Sequence, residues 1–317
     1  MMRLFMFPGQ GSQFPGMATP LLINFPYLKE LFEEAEDASK LQLRKICSDT
    51  DQEGELKKTA NQQPAILLIS IACWEVLKKE AEIEKLPGFF SGHSLGEYSA
   101  LVASQKLSFW QAVSLVSARG IAMQEAVPIG CGTMAAVMRC PVEELLSHLK
   151  AFKEERKNQD FVLEVVNYNS PQQQIISGHK KAVDDFCSKL KKLKLICKDL
   201  PVSAPFHSSL MSPAKEKMRG LLEATSFLDS QTKIFTNLTA KIEDPYKADF
   251  LINQIDNPVL WEPTVNNAYN SGVRSFIEIG PGAVLCQLIK RFPMKDVLTH
   301  NSKDLQSLIN KIQQLSL

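Results

Sequence analysis

The sequence predicts an α/β protein with a mostly parallel sheet and one inserted α+β unit. Three observations predict it. Apolar strands alternate with helical segments at both ends of the chain. A Gly-x-Ser-x-Gly run, Gly92-His93-Ser94-Leu95-Gly96, falls between an apolar strand and a helix. Between them, residues 128–201 read strand-helix-strand-strand-helix-strand, the ferredoxin-like order. The expected organisation is a large domain from 1–127 and 202–317, with a small domain at 128–201 inserted into it. At 317 residues and 44% hydrophobic, the chain is long enough to bury a sizeable core.

Element by element, Leu4 to Phe7 reads as a short buried strand stopped by Pro8-Gly9. Pro64 is expected to open a helix running to about Glu80, with Ile66, Ile69, Cys73 and Leu77 on one face. Phe89-Phe90-Ser91 is a second strand, followed by helices from Glu97 to Ala103 and from Phe109 to Ala126. In the insert, Thr133–Met138 is a strand and Pro141 starts a helix carrying Val142, Leu145, Leu146 and Leu149. A charged loop, Lys153 to Asp160, leads to strands at Phe161–Val166 and Gln173–Ser177. A helix over Lys180–Lys191 and a strand over Leu195–Leu200 complete it. Beyond Pro201, Ile234–Thr236 and Phe276–Ile279 read as strands of the main sheet, and His300 as part of a polar tail.

Composition narrows the function. The formal net charge of +1 gives no support to a nucleic-acid partner. The seven Cys are odd in number and contain no Cys-x-x-Cys pair, so free thiols in a reducing compartment are expected rather than disulfides or zinc. The N-terminal apolar stretch is too short for a signal-peptide core, and no run approaches the ~18 apolar residues of a membrane span. The expectation is a cytoplasmic protein that does not engage a membrane.

The chemistry centres on Ser94. On a sharp strand-to-helix turn its neighbours two residues away must lack side chains, hence Gly92 and Gly96. The turn exposes the hydroxyl, and the Leu95 amide at the helix N-terminus can stabilise an oxyanion. An ordinary glycine turn is the competing reading of the bare motif. A serine nucleophile needs a base. Of the five His, His93 adjoins the serine but points away from it, His148 and His179 fall in the small domain, and His300 lies in the tail. His207, in the Pro-containing loop just after the insert, is the best placed.

These motifs, with several others in fixed order, resemble the malonyl-CoA:acyl carrier protein transacylases of fatty-acid synthesis and the related acyltransferase domains of polyketide synthases. The landmarks are Phe7-Pro8-Gly9-Gln10-Gly11-Ser12-Gln13, Gly92 through Leu101, and Arg119-Gly120 with Met123 through Pro128. Asn167 through Pro171, Ala204-Pro205-Phe206-His207, Gln254 through Val259 and Glu278 through Gly282 continue the series. The resemblance implies a hydrolase-like large domain carrying a ferredoxin-like insert. It implies Ser94 as nucleophile and His207 as base, the amides of Gln10 and Leu95 as oxyanion donors, and the Gln254 carbonyl orienting the imidazole. Arg119, alone in an otherwise apolar helix, would grip the malonyl carboxylate through a planar fork. Phe206, Met123, Asn167 and His93 would line the acyl site, and Phe206 would restrict branched acyl groups. Lys290 and Arg291 would meet an acidic carrier, with the run Lys189 to Lys198 as a second candidate.

The implied activity moves malonyl from malonyl-CoA, a substrate, to the phosphopantetheine thiol of holo acyl carrier protein. It would proceed by a ping-pong mechanism through a malonyl-serine ester, in a monomer without cofactor or metal. A polyketide synthase acyltransferase acting in trans, a serine esterase or thioesterase, and a non-catalytic interaction domain are the competing readings.

Overall fold

The computed structural model describes residues 1–202 and 204–315; Ser203 of the expected catalytic loop and positions 316–317 lie outside the described residues. Eight strands form two four-stranded sheets. The strands are β1 (Met2–Phe7), β2 (Gly88–Gly92), β3 (Gly132–Met138), β4 (Leu163–Ser170), β5 (Gln173–His179), β6 (Ile196–Asp199), β7 (Val273–Glu278) and β8 (Leu298–Asn301). One sheet runs β2-β1-β7-β8 with every pairing parallel. The other runs β4-β5-β3-β6 with every pairing antiparallel.

A parallel sheet covered by helices on both faces needs strands that are apolar throughout. Strand β1 meets that need with Leu4 and Met6 on one face and Phe5 and Phe7 on the other, all buried. Leu4 and Met6 pack with Trp261 and Phe276. Phe5 lies edge-on to Trp74 at 5.7 Å, which places the Thr59–Ala81 helix across the opposite face. The small sheet builds a core of its own, with Val137, Val165 and Ile176 beneath Leu145, Phe152 and Phe186 of its two helices.

Several expectations are corrected. Pro64 does not open its helix, which begins at Thr59 and places Pro64 inside it. The bond Pro64 cannot donate is offset in the first turn: the Lys58 carbonyl accepts from both Asn61 and Gln62 amides. The Asn61 and Gln62 side chains also donate back to the Glu55 and Lys57 carbonyls. Ile234–Thr236 is no strand; Ile234 makes a single parallel bridge to Phe90. His300 lies in β8, the edge strand, rather than in a tail. The charged segment after Pro141 begins later than expected, because the helix there continues to Glu154.

Strand β4, at one edge of the antiparallel sheet, is tied to two segments that follow the small sheet in the chain. Strand β4 meets the segment before Trp261, where Tyr168 N donates to Val259 O (3.0 Å) and Val259 N to Val166 O (2.8 Å). Glu164, also on β4, accepts both the amide and the hydroxyl of Ser209 at 2.8 Å each. The candidate site lies at this junction.

Candidate active site

Strand β2 ends at Gly92 and the next helix, Gly96–Ala103, begins four residues later. Ser94 sits at the apex with φ of 53°, in the left-handed region. A Cβ on Gly92 would lie 1.9 Å from the Gly96 carbonyl carbon, and one on Gly96 would lie 2.0 Å from the Phe7 carbonyl oxygen. Both glycines are therefore required by backbone contact. The turn is held from below by Asn237, whose Oδ1 accepts from Ser94 N and whose Nδ2 donates to the Gly92 carbonyl, each at 2.6 Å.

The Ser94 hydroxyl lies 2.7 Å from His207 Nε2, and His207 Nδ1 lies 2.9 Å from the Gln254 backbone carbonyl. A carbonyl only accepts, so Nδ1 carries the hydrogen and Nε2 presents its lone pair to Ser94. His207 is itself at φ 62°, in a loop pinned by the Ser208 hydroxyl bonding to Pro205 O. Burial holds its imidazole down at about 3, and the nearby Arg119 charge pushes the same way. The ring is thus neutral and able to accept a proton across the ordinary pH range.

Arg119 comes from the Phe109–Glu125 helix and is 0% exposed. Its Nη1 donates to Gln63 Oε1 (2.7 Å), and its Nη2 to Ser94 Oγ (3.1 Å) and Gln254 Oε1 (3.0 Å). Its Nε–H has no partner among the described residues, a buried donor of positive charge beside the serine. Burial lowers its pKa, opposed by Tyr98 and Glu97. Gln63 in turn donates to the Met123 sulfur at 3.7 Å, so Met123 lines the same recess.

The remaining expected residues are placed as follows. Gln10 is partly exposed, and its side chain bonds Gln62 at 2.7 Å. A Cβ on Gly9 would lie 2.4 Å from His93 O, so the chain entering Gln10 runs directly against the elbow. Neither the Gln10 nor the Leu95 amide has a hydrogen-bond partner among the described residues. His93 Nε2 lies 2.8 Å from Asn169 Oδ1, linking the elbow to β4. Phe206 is buried next to His207. Asn167 is buried with an unpartnered Oδ1. Lys290 and Arg291 stand apart from this network on the surface.

The sequence reading missed Gln63, Asn237, Glu97, Tyr246 and Asn169 as site residues. Glu97 and Asn169 lay inside quoted motifs. Gln63 precedes the Pro64 that was taken as a helix start, and Asn237 and Tyr246 carry no local signal.

An α/β fold with a buried serine, histidine and arginine joined in one hydrogen-bonded set defines an acyltransferase, and residues 4–309 match the acyl transferase domain family. The chain belongs to the malonyl CoA-acyl carrier protein transacylase family. It is 43% identical over 292 residues to the malonyl CoA-acyl carrier protein transacylase of Bacillus subtilis strain 168, covering 90% of this chain and 89% of that one. The crystal structure of the Clostridium perfringens transacylase superposes with a TM-score of 0.90 at 34% identity, covering 100% of this chain and 98% of that one. A malonyl-transacylase in complex with its holo type II polyketide synthase acyl-carrier protein gives 0.88 at 36% identity, covering 98% of this chain and 100% of the other.

Proposed function

We propose that this acyltransferase moves malonyl from malonyl-CoA to the phosphopantetheine thiol of an acyl carrier protein, through an ester on Ser94. The observation that carries the reading is Arg119: a fully buried guanidinium, 3.1 Å from Ser94 Oγ, with a donor left unpaired. A cation in that position selects an acyl group bearing its own carboxylate. A neutral acetyl group would leave the cation desolvated and without an anion. The names of the relatives point to the same substrate.

In the first half-reaction His207 Nε2 takes the Ser94 proton as Oγ attacks the thioester carbonyl. The amides of Gln10 and Leu95 receive the oxyanion. Coenzyme A leaves as its sulfur takes the proton from His207. The carrier thiol then gives its proton to His207, attacks the ester, and Ser94 recovers its proton. The Gln254 carbonyl holds the imidazole in the tautomer this requires, with less stabilisation of the imidazolium than a carboxylate would supply. Phe206, Met123, Asn167 and His93 shape the acyl recess, and Phe206 limits branching. The reaction needs neither metal nor cofactor.

The strand order β4-β5-β3-β6 with two helices supports a ferredoxin-like insert at 128–201, and the parallel sheet with its elbow supports a hydrolase-like domain from 1–127 and 202–317. We place the protein in the cytoplasm as a monomer; no helix of the described residues is long and apolar enough to cross a membrane. The relative solved with a polyketide carrier favours a second reading, the same transfer to a polyketide synthase carrier.

Incubation with malonyl-CoA and no acceptor is expected to add one malonyl group to wild type and none to Ser94→Ala, read by intact-protein mass spectrometry. An undiminished adduct on Ser94→Ala would falsify the mechanism. Rapid release of malonate without carrier would make the protein a hydrolase. Holo-carriers from fatty-acid and polyketide systems then identify the acceptor.

A further inference from the structure

Glu97 is fully buried, and among the described residues its carboxyl bonds Tyr246, Asn237 and Gln254 rather than Ser94 Oγ or His207. Every hydrogen bond given to it comes from a donor. Tyr246 O–H reaches Oε1 at 2.7 Å; Asn237 N (3.1 Å) and Gln254 Nε2 (2.7 Å) reach Oε2. Burial pushes the Glu97 carboxyl up to about 7, against the pull of these donors. Oε2 already accepts from a backbone N–H that can only donate, so it meets the Gln254 carboxamide as an acceptor and turns its NH2 inward. That leaves Gln254 Oε1 facing outward, where it accepts from Arg119 Nη2 at 3.0 Å. The same NH2 also donates to the Ser94 carbonyl at 3.1 Å, and the Gln254 backbone carbonyl holds His207 Nδ1. Asn237, a second of the three residues Glu97 holds, pins Ser94 N.

We propose that Glu97 is a positioning residue that fixes the orientation of the Gln254 carboxamide, and through it sets both the Arg119 fork and the His207 tautomer. This rests on the transfer reaction proposed above. With the amide reversed, an NH2 group would face the guanidinium, donor against donor, and Arg119 would lose its second anchor. Gln254 ends the Ala248–Gln254 helix, so its side-chain anchor also fixes the carbonyl that holds the imidazole. The nucleophile, base and carboxylate-binding cation are therefore aligned from one buried point.

The test uses Glu97→Met, which keeps the shape and removes both acceptors, with Glu97→Gln as the conservative variant. A glutamine can turn its carbonyl to Gln254 and its NH2 to the Tyr246 oxygen. Glu97→Met is expected to lower kcat/KM for malonyl-CoA by about tenfold or more and to lower the malonyl-over-acetyl ratio, with Glu97→Gln recovering most of both. Gln254→Ala is expected to lower the ratio as well, and the double variant to be no worse than the worse single. In parallel, nitrogen-15 spectra of labelled histidine read the His207 tautomer without substrate. They should give Nδ1–H alone in wild type and a tautomer mixture in Glu97→Met. An unchanged ratio and tautomer in Glu97→Met, or losses that multiply in the double variant, overturn the proposal. If Glu97→Met does not fold, an unchanged ratio in Gln254→Ala does so. A wild type that forms no malonyl ester but shows the tautomer change in Glu97→Met would sink the reaction and leave the positioning role standing.

Discussion

Replacing Arg119 with leucine removes the guanidinium beside Ser94 while keeping Ser94, His207 and the Gln254 carbonyl. For malonyl-CoA the loss is a pair of charge-assisted hydrogen bonds to the free carboxylate, at about 1.5–3 kcal/mol each. Taking the low end, because the leucine stem still fills part of the site, gives about 3 kcal/mol, or about a hundredfold in kcat/KM. For acetyl-CoA the loss is smaller. Of the bonds the guanidinium makes, the one to a reacting atom is the 3.1 Å bond from Nη2 to Ser94 Oγ, at about 1 kcal/mol, while those to Gln63 and Gln254 are lost whichever substrate is used. The difference, about 2 kcal/mol, is roughly thirtyfold in the malonyl-over-acetyl ratio. A second effect follows from the charge. Arg119 is among the causes that hold His207 low, after burial, so its removal raises the imidazole pKa from about 3. The base must be neutral to accept a proton, so the acid limb of acetyl transfer moves to higher pH. Both are read by single-turnover acylation of Ser94 between pH 4 and 8, with thermal melts to establish that the variant is folded. A ratio within threefold of wild type would place Arg119 outside the acyl site and remove the main physical reason for a malonyl substrate.

Two other perturbations probe the frame and the surface. Gly92→Ala would drive a Cβ to 1.9 Å from the Gly96 backbone, separating strand from helix. A cost of about 3 kcal/mol is expected. It should appear as a melting temperature lower by roughly 4–5 °C, and a drop under about 2 °C would contradict the contact. Replacing Lys290 and Arg291 together with alanine is expected to raise KM for the carrier more than for malonyl-CoA and to flatten the salt dependence of carrier turnover. Equal loss for both substrates would assign the pair to phosphate binding or to structure.

What could be read from the sequence follows from how local each signal is. The elbow was legible because three constraints fall within five residues, Gly92 to Gly96, and each is a consequence of backbone contact. The small sheet was legible because its strands and helices follow one another in one unbroken stretch of chain, although the strands pair in the order β4-β5-β3-β6. Ile234–Thr236 misled because a short apolar run looks alike whether it pairs along its length or through isolated bridges, here Ile234 to Phe90 and Phe235 to Ile242. Pro64 misled because a proline usually marks a first turn, whereas here the turn before it is sustained by the Asn61 and Gln62 amides on the Lys58 carbonyl and by the side chains of the same two residues. Gln63 and Asn237 escaped because their roles exist only after folding. Each is an uncharged amide on ordinary-looking chain, joined to Arg119 or Ser94 across 56 and 143 residues.

The bond between Ser94 and His207 joins residues 113 positions apart, and the whole antiparallel sheet lies within that span. The returning loop is also fastened to that sheet, through Ser209 and Glu164. Closing so long a loop is unfavourable until the intervening chain has taken its compact form. During refolding or synthesis, then, the strand, turn and helix around Ser94 can form early, whereas the histidine arrives only after the small sheet is in place and the Asn237 clamp later still. The nascent chain carries the serine with no base to deprotonate it, and so stays chemically quiet towards cellular thioesters until the small sheet and the chain that follows it have assembled.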